Sequence, residues 1–495
     1  MANASYGKAA GWIGFETVLA ATLVCAAGYY WSTGLEPRWW PIWLAALPVL
    51  WLAPRVSAWT ALGMAFVARV LGAMNLVYYM HHSIHIPVWV VAESVAVPSI
   101  VFMLAAGLYR SFFVRGRRWL AVLAFPAVIV AGEYLTNLSQ GTFGDTAYTQ
   151  LGNLPVLQLG ALAGLYGIGF AVLLFPALGA AALSSRGRER RQLAWGLGAF
   201  VVCVFGYGAA RLYLTPRAPR MAMVGLIDRD PANMLPSAPE QVMALADEYS
   251  GEIRMLAARG AKYVVLPEAT VLVTRGDVGQ VDAFFEQTAR EAGVQVLVGM
   301  IDTTGPETFN EARLYSAAGT LETIYHKHHL VPGMESGAIP GGGMSVLDEP
   351  VGRVGVEICR DMDYPNPARK YGARDVGLML VPAWDFGVDR TWHGHMALMR
   401  GVENGYSIVR VAKRGLMTVS DDRGRVMAET PVAADGAFTT MLVMVPVRHD
   451  ATLYGGWGDW FAWLVLAGLA AMLVVWVGLL RRRESAVSNP VMVEG

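Results

Sequence analysis

Three side chains, far apart in the 495-residue chain, are of the types that nucleophilic acyl chemistry needs. Cys359 lies near the end of the stretch V-G-V-E-I-C-R-D, Val354 to Asp361, in which Val354, Val356 and Ile358 alternate like one face of a buried strand. A thiol at a strand end is held rigidly while its sulfur stays open to substrate. Glu268 closes a second apolar run in L-P-E-A, and Lys327 follows a third in Y-H-K-H-H-L-V-P. A carboxylate can take the thiol proton, and the thiolate is the nucleophile. An ammonium nearby favours the thiolate and can stabilise the oxyanion of a tetrahedral intermediate. The backbone N–H of Arg360, next after the thiol, is placed to be a second oxyanion donor. Taken singly, Glu268 and Lys327 are of the kind most often found as solvated surface charges, and a lone cysteine reads as a small buried hydrophobe. Cys25 and Cys203 lie inside long apolar runs, so Cys359 is the only one of the three cysteines in polar sequence.

Other eye-catching residues carry less. His326, His328 and His329 flank Lys327, and His393 and His395 fall on a predicted helix, but no carboxylate or cysteine stands at zinc-ligand spacing from them. Neither a metal nor another cofactor is expected. Gly341-Gly342-Gly343 lacks the Lys-Ser/Thr of a phosphate loop and reads as a flap. Trp384 and Phe386 read either as the lining of an acyl-chain pocket or as core.

The elements that must position these groups come from residues 215–456, which have the composition of an ordinary globular domain. Strands are predicted near 220–227, 262–266, 294–301, 312–318, 321–326, 354–358, 376–381, 407–412 and 416–420. Helices are predicted near 239–259, 281–292, 367–372 and 392–404. Strands alternating with helices, with some hairpins, predict a layered α/β fold.

The rest of the chain is different. Overall, 55% of residues are hydrophobic and 16% charged, with a mean hydropathy of +0.40, where about 25% charged is usual for a soluble chain. The net charge of zero argues against a nucleic-acid partner. Residues 460–480 carry no charge and are long enough to cross a bilayer as a helix. Seven further apolar runs lie near 11–31, 39–53, 57–80, 87–109, 119–135, 155–183 and 193–213, for about eight spans in all. Residues 1–214 thus read as a membrane bundle, 215–456 as a catalytic domain, and 457–495 as a last span with a tail. Lys8 before an apolar run suggests a signal peptide, but the run is long and lacks a cleavage site, so a retained first span is expected. Arg69 and Glu93 lie well inside their spans and are expected to face the bundle interior, as a pair. Basic clusters at 110–118, 186–191 and 481–483 all follow even-numbered spans. The positive-inside rule makes that side cytoplasmic and turns the globular domain outward.

Together, P-E at Glu268, K-H-H-L-V-P-G-M-E from Lys327 to Glu335, and G-V-E-I-C-R-D around Cys359 resemble the three blocks of the nitrilase (carbon–nitrogen hydrolase) superfamily. The membrane plan narrows the resemblance to the apolipoprotein N-acyltransferase family, as do T-L-Y-G-G-W-G-D-W at 452–460 and G-N-L-P-V-L-Q-L-G at 152–160. The resemblance implies an α-β-β-α sandwich with a Glu268–Lys327–Cys359 triad, and Glu335 as a supporting glutamate. It implies a bacterial inner-membrane enzyme with its catalytic domain on the extracytoplasmic side. A phospholipid would donate an acyl chain through a Cys359 thioester to the N-terminal amine of a diacylglyceryl lipoprotein. Asp361 and Arg360 stand where that family usually has glutamate and tyrosine, which leaves open a membrane-tethered amidase whose thioester is resolved by water. A catalytically idle scaffold is a third reading.

Overall fold

The computed structural model describes residues 13–214, 220–229, 235–236 and 238–488, the side chains of 482–488 excepted. Lys8, the first residues of the 11–31 run, the side chains of Arg482 and Arg483, and residue 215 at the expected domain boundary lie outside the described residues.

All eight apolar runs are helical. Among the described residues, five helices are long and apolar enough to cross a membrane: Val88–Val114, Arg118–Gln140, Gly160–Ser184, Gly187–Tyr213 and Trp460–Arg481. Ala58–Gly72 and Met74–Ser83 add a sixth if this pair, bent by 40°, is one span. Phe15–Ser32 is 18 residues long with Glu16 in its first turn, and Ile42–Arg55 is shorter and broken, with Pro48 and Pro54 at the starts of its second and third turns of helix. The loops that carry the basic clusters meet at one end. Arg118 pairs with Glu189 at 2.8 Å, Arg55 donates to Ser184 Oγ at 2.9 Å, and Trp476 Nε1 donates to Ser111 Oγ at 2.7 Å. The opposite end meets the α/β layer, where Thr142 N–H donates to Asp363 O at 2.9 Å and Gln158 Nε2 to Arg423 O at 2.9 Å.

Arg69 and Glu93 do not form the expected pair. Arg69 turns toward helix Phe15–Ser32, with its guanidinium 5.0 Å from the centre of the Tyr29 ring, and no ion pair joins it to Glu93 among the described residues.

The α/β layer has thirteen strands among the described residues: β1 Met221–Arg229, β2 Tyr263–Val265, β3 Val271–Val273, β4 Gln295–Asp302, β5 Phe309–Tyr315, β6 Leu321–His326, β7 Ser345–Glu349, β8 Gly352–Val356, β9 Val376–Trp384, β10 Ser407–Lys413, β11 Leu416–Ser420, β12 Val426–Pro431 and β13 Phe438–Pro446. They form two sheets, ordered β13-β1-β2-β4-β5-β6 (with β3 beside β4) and β12-β11-β10-β9-β8-β7. Strand alternation explains the layers. Val224, Leu226, Val265 and Leu297 of one sheet meet Val354, Val356, Leu380 and Val409 of the other in a shared core. The alternate residues Val264, Val296 and Val298 face out and are covered by helices Pro239–Ala258 and Val278–Ala292. On the far side, Met379, Val381 and Ile408 pack against Ala397 of helix Arg390–Asn404. The result is the α-β-β-α sandwich that the resemblance implied. Each of these fully buried aliphatic side chains contributes about 1.5–3 kcal/mol.

Candidate active site

Cys359 stands at a sharp turn. β8 continues through Glu357 and Ile358, Cys359 takes a φ of +46°, and the chain then turns through a short 3₁₀ helix, Cys359–Asp363. A left-handed conformation is unfavourable for a residue with a Cβ and persists only where its surroundings fix it. Asp361 does much of that fixing. Fully buried, it accepts from the N–H of Ile358 at 3.3 Å, His328 at 3.1 Å and His329 at 2.8 Å, and from the Tyr325 hydroxyl at 2.8 Å. One carboxylate therefore ties the cysteine turn to the loop that carries Lys327. The Arg360 N–H is the second in the helical turn, where backbone donors have no partner within the turn. The Arg360 side chain donates to Leu330 O and lies over the Tyr364 ring.

Glu268 follows β2, at the seam between the sheets. Its N–H donates to Ala383 O of β9 at 3.3 Å, and Ala269 after it has a φ of +51°. Lys413 Nζ holds this turn by donating to Ala269 O at 2.9 Å. Gly299 on β4 makes room for it: a Cβ there would lie 2.3 Å from Pro267 O.

Lys327 leaves the end of β6 with 1% of its surface exposed, so its charge must be met by protein. Nζ donates to Glu268 Oε1 at 2.7 Å and to Glu335 Oε2 at 2.9 Å. Asn310 Nδ2 bridges the same two carboxylates, at 2.6 Å to Glu268 Oε1 and 2.5 Å to Glu335 Oε1. Glu335 Oε2 also accepts from Val331 N–H at 2.6 Å. Glu268 Oε2 is buried and accepts nothing among the described residues. The Cys359 thiol donates to Trp384 O at 3.5 Å.

The electrostatics follow from this packing. Desolvation pushes the Cys359 thiol pKa well up, the Glu268 charge adds to the rise, and Lys327 and Arg410 oppose it. Desolvation works against the Lys327 ammonium, but the charges of Glu268, Cys359 and Glu335 outweigh it and hold its pKa above the ordinary lysine value. These directions favour a protonated thiol at neutral pH, and Lys327 and Glu268 form a buried ion pair.

The sulfur opens onto a cavity of about 920 Å³. Trp384 and Phe386 line it beside Cys359 and Arg360, and so do Tyr79, Phe102 and Glu133 from the helical bundle. A loop–helix network supports the Trp384–Phe386 wall. Arg410 makes a two-pronged ion pair with Asp385 at 2.5 and 3.0 Å, and Asp389 accepts from Phe386 N–H at 2.9 Å and from the Tyr79 hydroxyl at 2.6 Å. Spacing did not reveal Asn310, Arg410 or Asp389, since each reaches the site from a different element. The three histidines near Lys327 are engaged locally: His326 with Glu311 at 3.1 Å, His328 with Gly343 O at 2.7 Å, and His329 stacked 3.8 Å from Tyr364.

Two family models match the chain in tandem. The apolipoprotein N-acyltransferase N-terminal domain covers residues 26–178, and the carbon-nitrogen hydrolase model covers 224–447. Along most of its length the chain is similar to the apolipoprotein N-acyltransferase family. It is 26% identical to an apolipoprotein N-acyltransferase of Geobacter metallireducens, over 89% of this chain and 91% of that one. It is also 26% identical to an apolipoprotein N-acyltransferase of Azotobacter vinelandii, over 91% and 93%. Among solved structures, an amidase of the nitrilase superfamily from Nesterenkonia aligns at 21% identity with a TM-score of 0.42, covering 50% of this chain and 98% of that one.

Proposed function

We propose that the protein is a membrane N-acyltransferase that moves an acyl chain from a phospholipid, through a thioester on Cys359, to the N-terminal amine of a diacylglyceryl lipoprotein. The observation that carries this reading is the position of Cys359. Its thiol feels the charges of Glu268 and Lys327, and it lines a cavity whose other wall is made of apolar helices. Both substrates are lipids, which leave a bilayer only at a large hydrophobic cost, so a site walled by membrane helices suits them.

In the first step Glu268, through its unengaged Oε2, takes the thiol proton as Sγ attacks the ester carbonyl. A C–S bond forms, the ester C–O bond breaks, and the lysophospholipid oxygen leaves with the proton from Glu268. In the second step the acceptor amine attacks the thioester and gives its proton to Glu268. A C–N bond forms, the C–S bond breaks, and the thiol is restored. Lys327 Nζ and the Arg360 N–H stabilise the oxyanion in both steps. Glu335 and Asn310 orient Lys327, and Trp384 and Phe386 form the wall along which the acyl chain lies. No step requires a cofactor.

The same reading takes the helical runs as about eight spans in a bacterial inner membrane, with residues 1–214 as the bundle, 215–456 as the extracytoplasmic catalytic domain, and 457–495 as the last span and cytoplasmic tail. The gathering of the basic loops at the end away from the sandwich supports that orientation. Intact-mass measurement after incubation with phospholipid tests the first step. The wild type should gain one acyl chain and Cys359→Ala should gain none. A diacylglyceryl peptide should then discharge the thioester and become triacylated. Discharge by water alone would favour the amidase reading, and no acylation at all would favour the scaffold.

A further inference from the structure

We propose that Arg69 is the binding residue for the phosphodiester of the phospholipid donor, an assignment that rests on the acyl-transfer reading above. Four cationic side chains line the cavity onto which Cys359 opens: Arg69, Arg360, His393 and Arg410. Three are spoken for. Arg410 forks onto Asp385, His393 lies 3.1 Å from Asp389, and Arg360 donates to Leu330 O. Arg69 differs. Among the described residues no carboxylate lies within ion-pair distance of it, its Nη1 is buried and donates to nothing, and its one close partner is the Tyr29 ring face. Of the carboxylates on this cavity, Glu133 interacts with the Arg69 charge without reaching ion-pair distance: Oε1 accepts from the N–H and hydroxyl of Thr146 at 3.0 and 2.6 Å, and Oε2 is buried with no hydrogen-bond donor among the described residues.

A guanidinium within an apolar helix that has no direct ion pair is costly and marks a functional position. Arg69 sits in the last turn of helix Ala58–Gly72, on the cavity that contains the thiol. A ligand that brings an anion there removes the cost. Guanidinium is matched to phosphate by its planar fork of donors, and a ring stacked on one face keeps that fork in place. The two lipids that must use this cavity differ in just this respect. The donor carries a phosphodiester next to its acyl esters, whereas the acceptor presents a diacylglyceryl thioether and an amine, which a cation repels when protonated. Arg69 therefore selects donor over acceptor in the first half-reaction.

The test compares thioester formation at Cys359 from dipalmitoyl phosphatidylglycerol and from 4-nitrophenyl palmitate, an ester with no phosphate, both in detergent micelles. In Arg69→Gln the ratio of the two acylation rates should fall at least about tenfold, the loss expected of a charge-assisted hydrogen bond. Arg69→Lys keeps the charge without the fork and should recover part of it. A wild-type ratio in both variants overturns the proposal, as does an equal fall with both esters, which would mean a structural role. If the Gln variant does not accumulate, the Lys variant decides on the same ratio. If the wild type forms no thioester from either ester, the acyl-transfer reading fails instead. Retention of the phospholipid by Cys359→Ala with and without Arg69→Gln, read by native mass spectrometry, then still reports on Arg69. Equal retention sinks the site, and retention lost with Arg69→Gln upholds it.

Discussion

At the scale of the residue, the site is built on one shared oxygen and one left over. Glu268 Oε1 takes both Lys327 and Asn310, so its negative charge is balanced and its geometry fixed. Among the described residues Oε2 is buried with no donor, and it is the oxygen that the proposed mechanism uses as base. The same carboxylate raises the thiol pKa, so its removal has two opposite effects that can be measured separately. Glu268→Gln removes a negative charge from the sulfur while Lys327 stays, so the pH at which Cys359 becomes alkylable by iodoacetamide should move down. Acylation by phospholipid should nevertheless slow about a hundredfold or more, since the base is gone. An alkylation profile that stays in place or moves up would mean that Glu268 does not face the sulfur. Cys359, Glu268 and Lys327 were legible in the sequence because each ends an apolar run in a characteristic block. Asn310 was not. It lies within β5, and only the antiparallel pairing of β5 with β6 brings it beside Lys327.

At the scale of the element, one membrane helix is interrupted where the sandwich touches it. Gly164, inside Gly160–Ser184, has φ +64° and ψ −170°, which breaks the helical ladder. The Leu165 N–H left over donates to Glu403 Oε1 at 2.8 Å, and Glu403 also pairs with Arg400 at 3.0 Å, both fully buried. A carboxylate from one layer thus caps a half-helix of the other. Glu403→Ala leaves a buried N–H without its acceptor and a buried guanidinium without its counter-charge, with only the Tyr148 hydroxyl still accepting from Arg400, and should cost about 3–5 kcal/mol. Glu403→Gln keeps an acceptor for Leu165 and should lose less. Thermal unfolding in detergent should rank wild type above Gln and Gln above Ala, and equal midpoints for the two variants would refute the capping role. Most strands and helices of the sandwich were legible from alternation. The ones missed have physical reasons. β7, β12 and β13 lie at sheet edges, where one side is open and the apolar signal is diluted, and β3 is three residues long. In the bundle, the expected Arg69–Glu93 pair failed because helical periodicity gives a residue's face but not which neighbour that face meets.

At the scale of the whole molecule, the bundle and the sandwich share the site. Tyr79, in the bent segment after Gly72, donates to Asp389 at 2.6 Å, and Asp389 in turn holds the Phe386 N–H. A helix that belongs to one layer therefore fixes a loop that belongs to the other. Tyr79→Phe should keep the fold but lose about 1.5–3 kcal/mol of that coupling. Amide hydrogen exchange should rise in residues 384–389 while β8 and β9 stay protected. Unaltered exchange across 384–389 would show that the sandwich holds this loop without help. The junction itself was not legible, because Tyr79 and Asp389 are 310 positions apart and nothing in either segment names the other.

The cavity has a further consequence. On the acyl-transfer reading, one thiol on this cavity serves both lipids, so the two would take turns at it. The spent donor has to depart before the next guest can be admitted. A lysophospholipid that lingers would hold the door against the acceptor, and turnover would then be set by how fast the chamber empties rather than by how fast bonds are made.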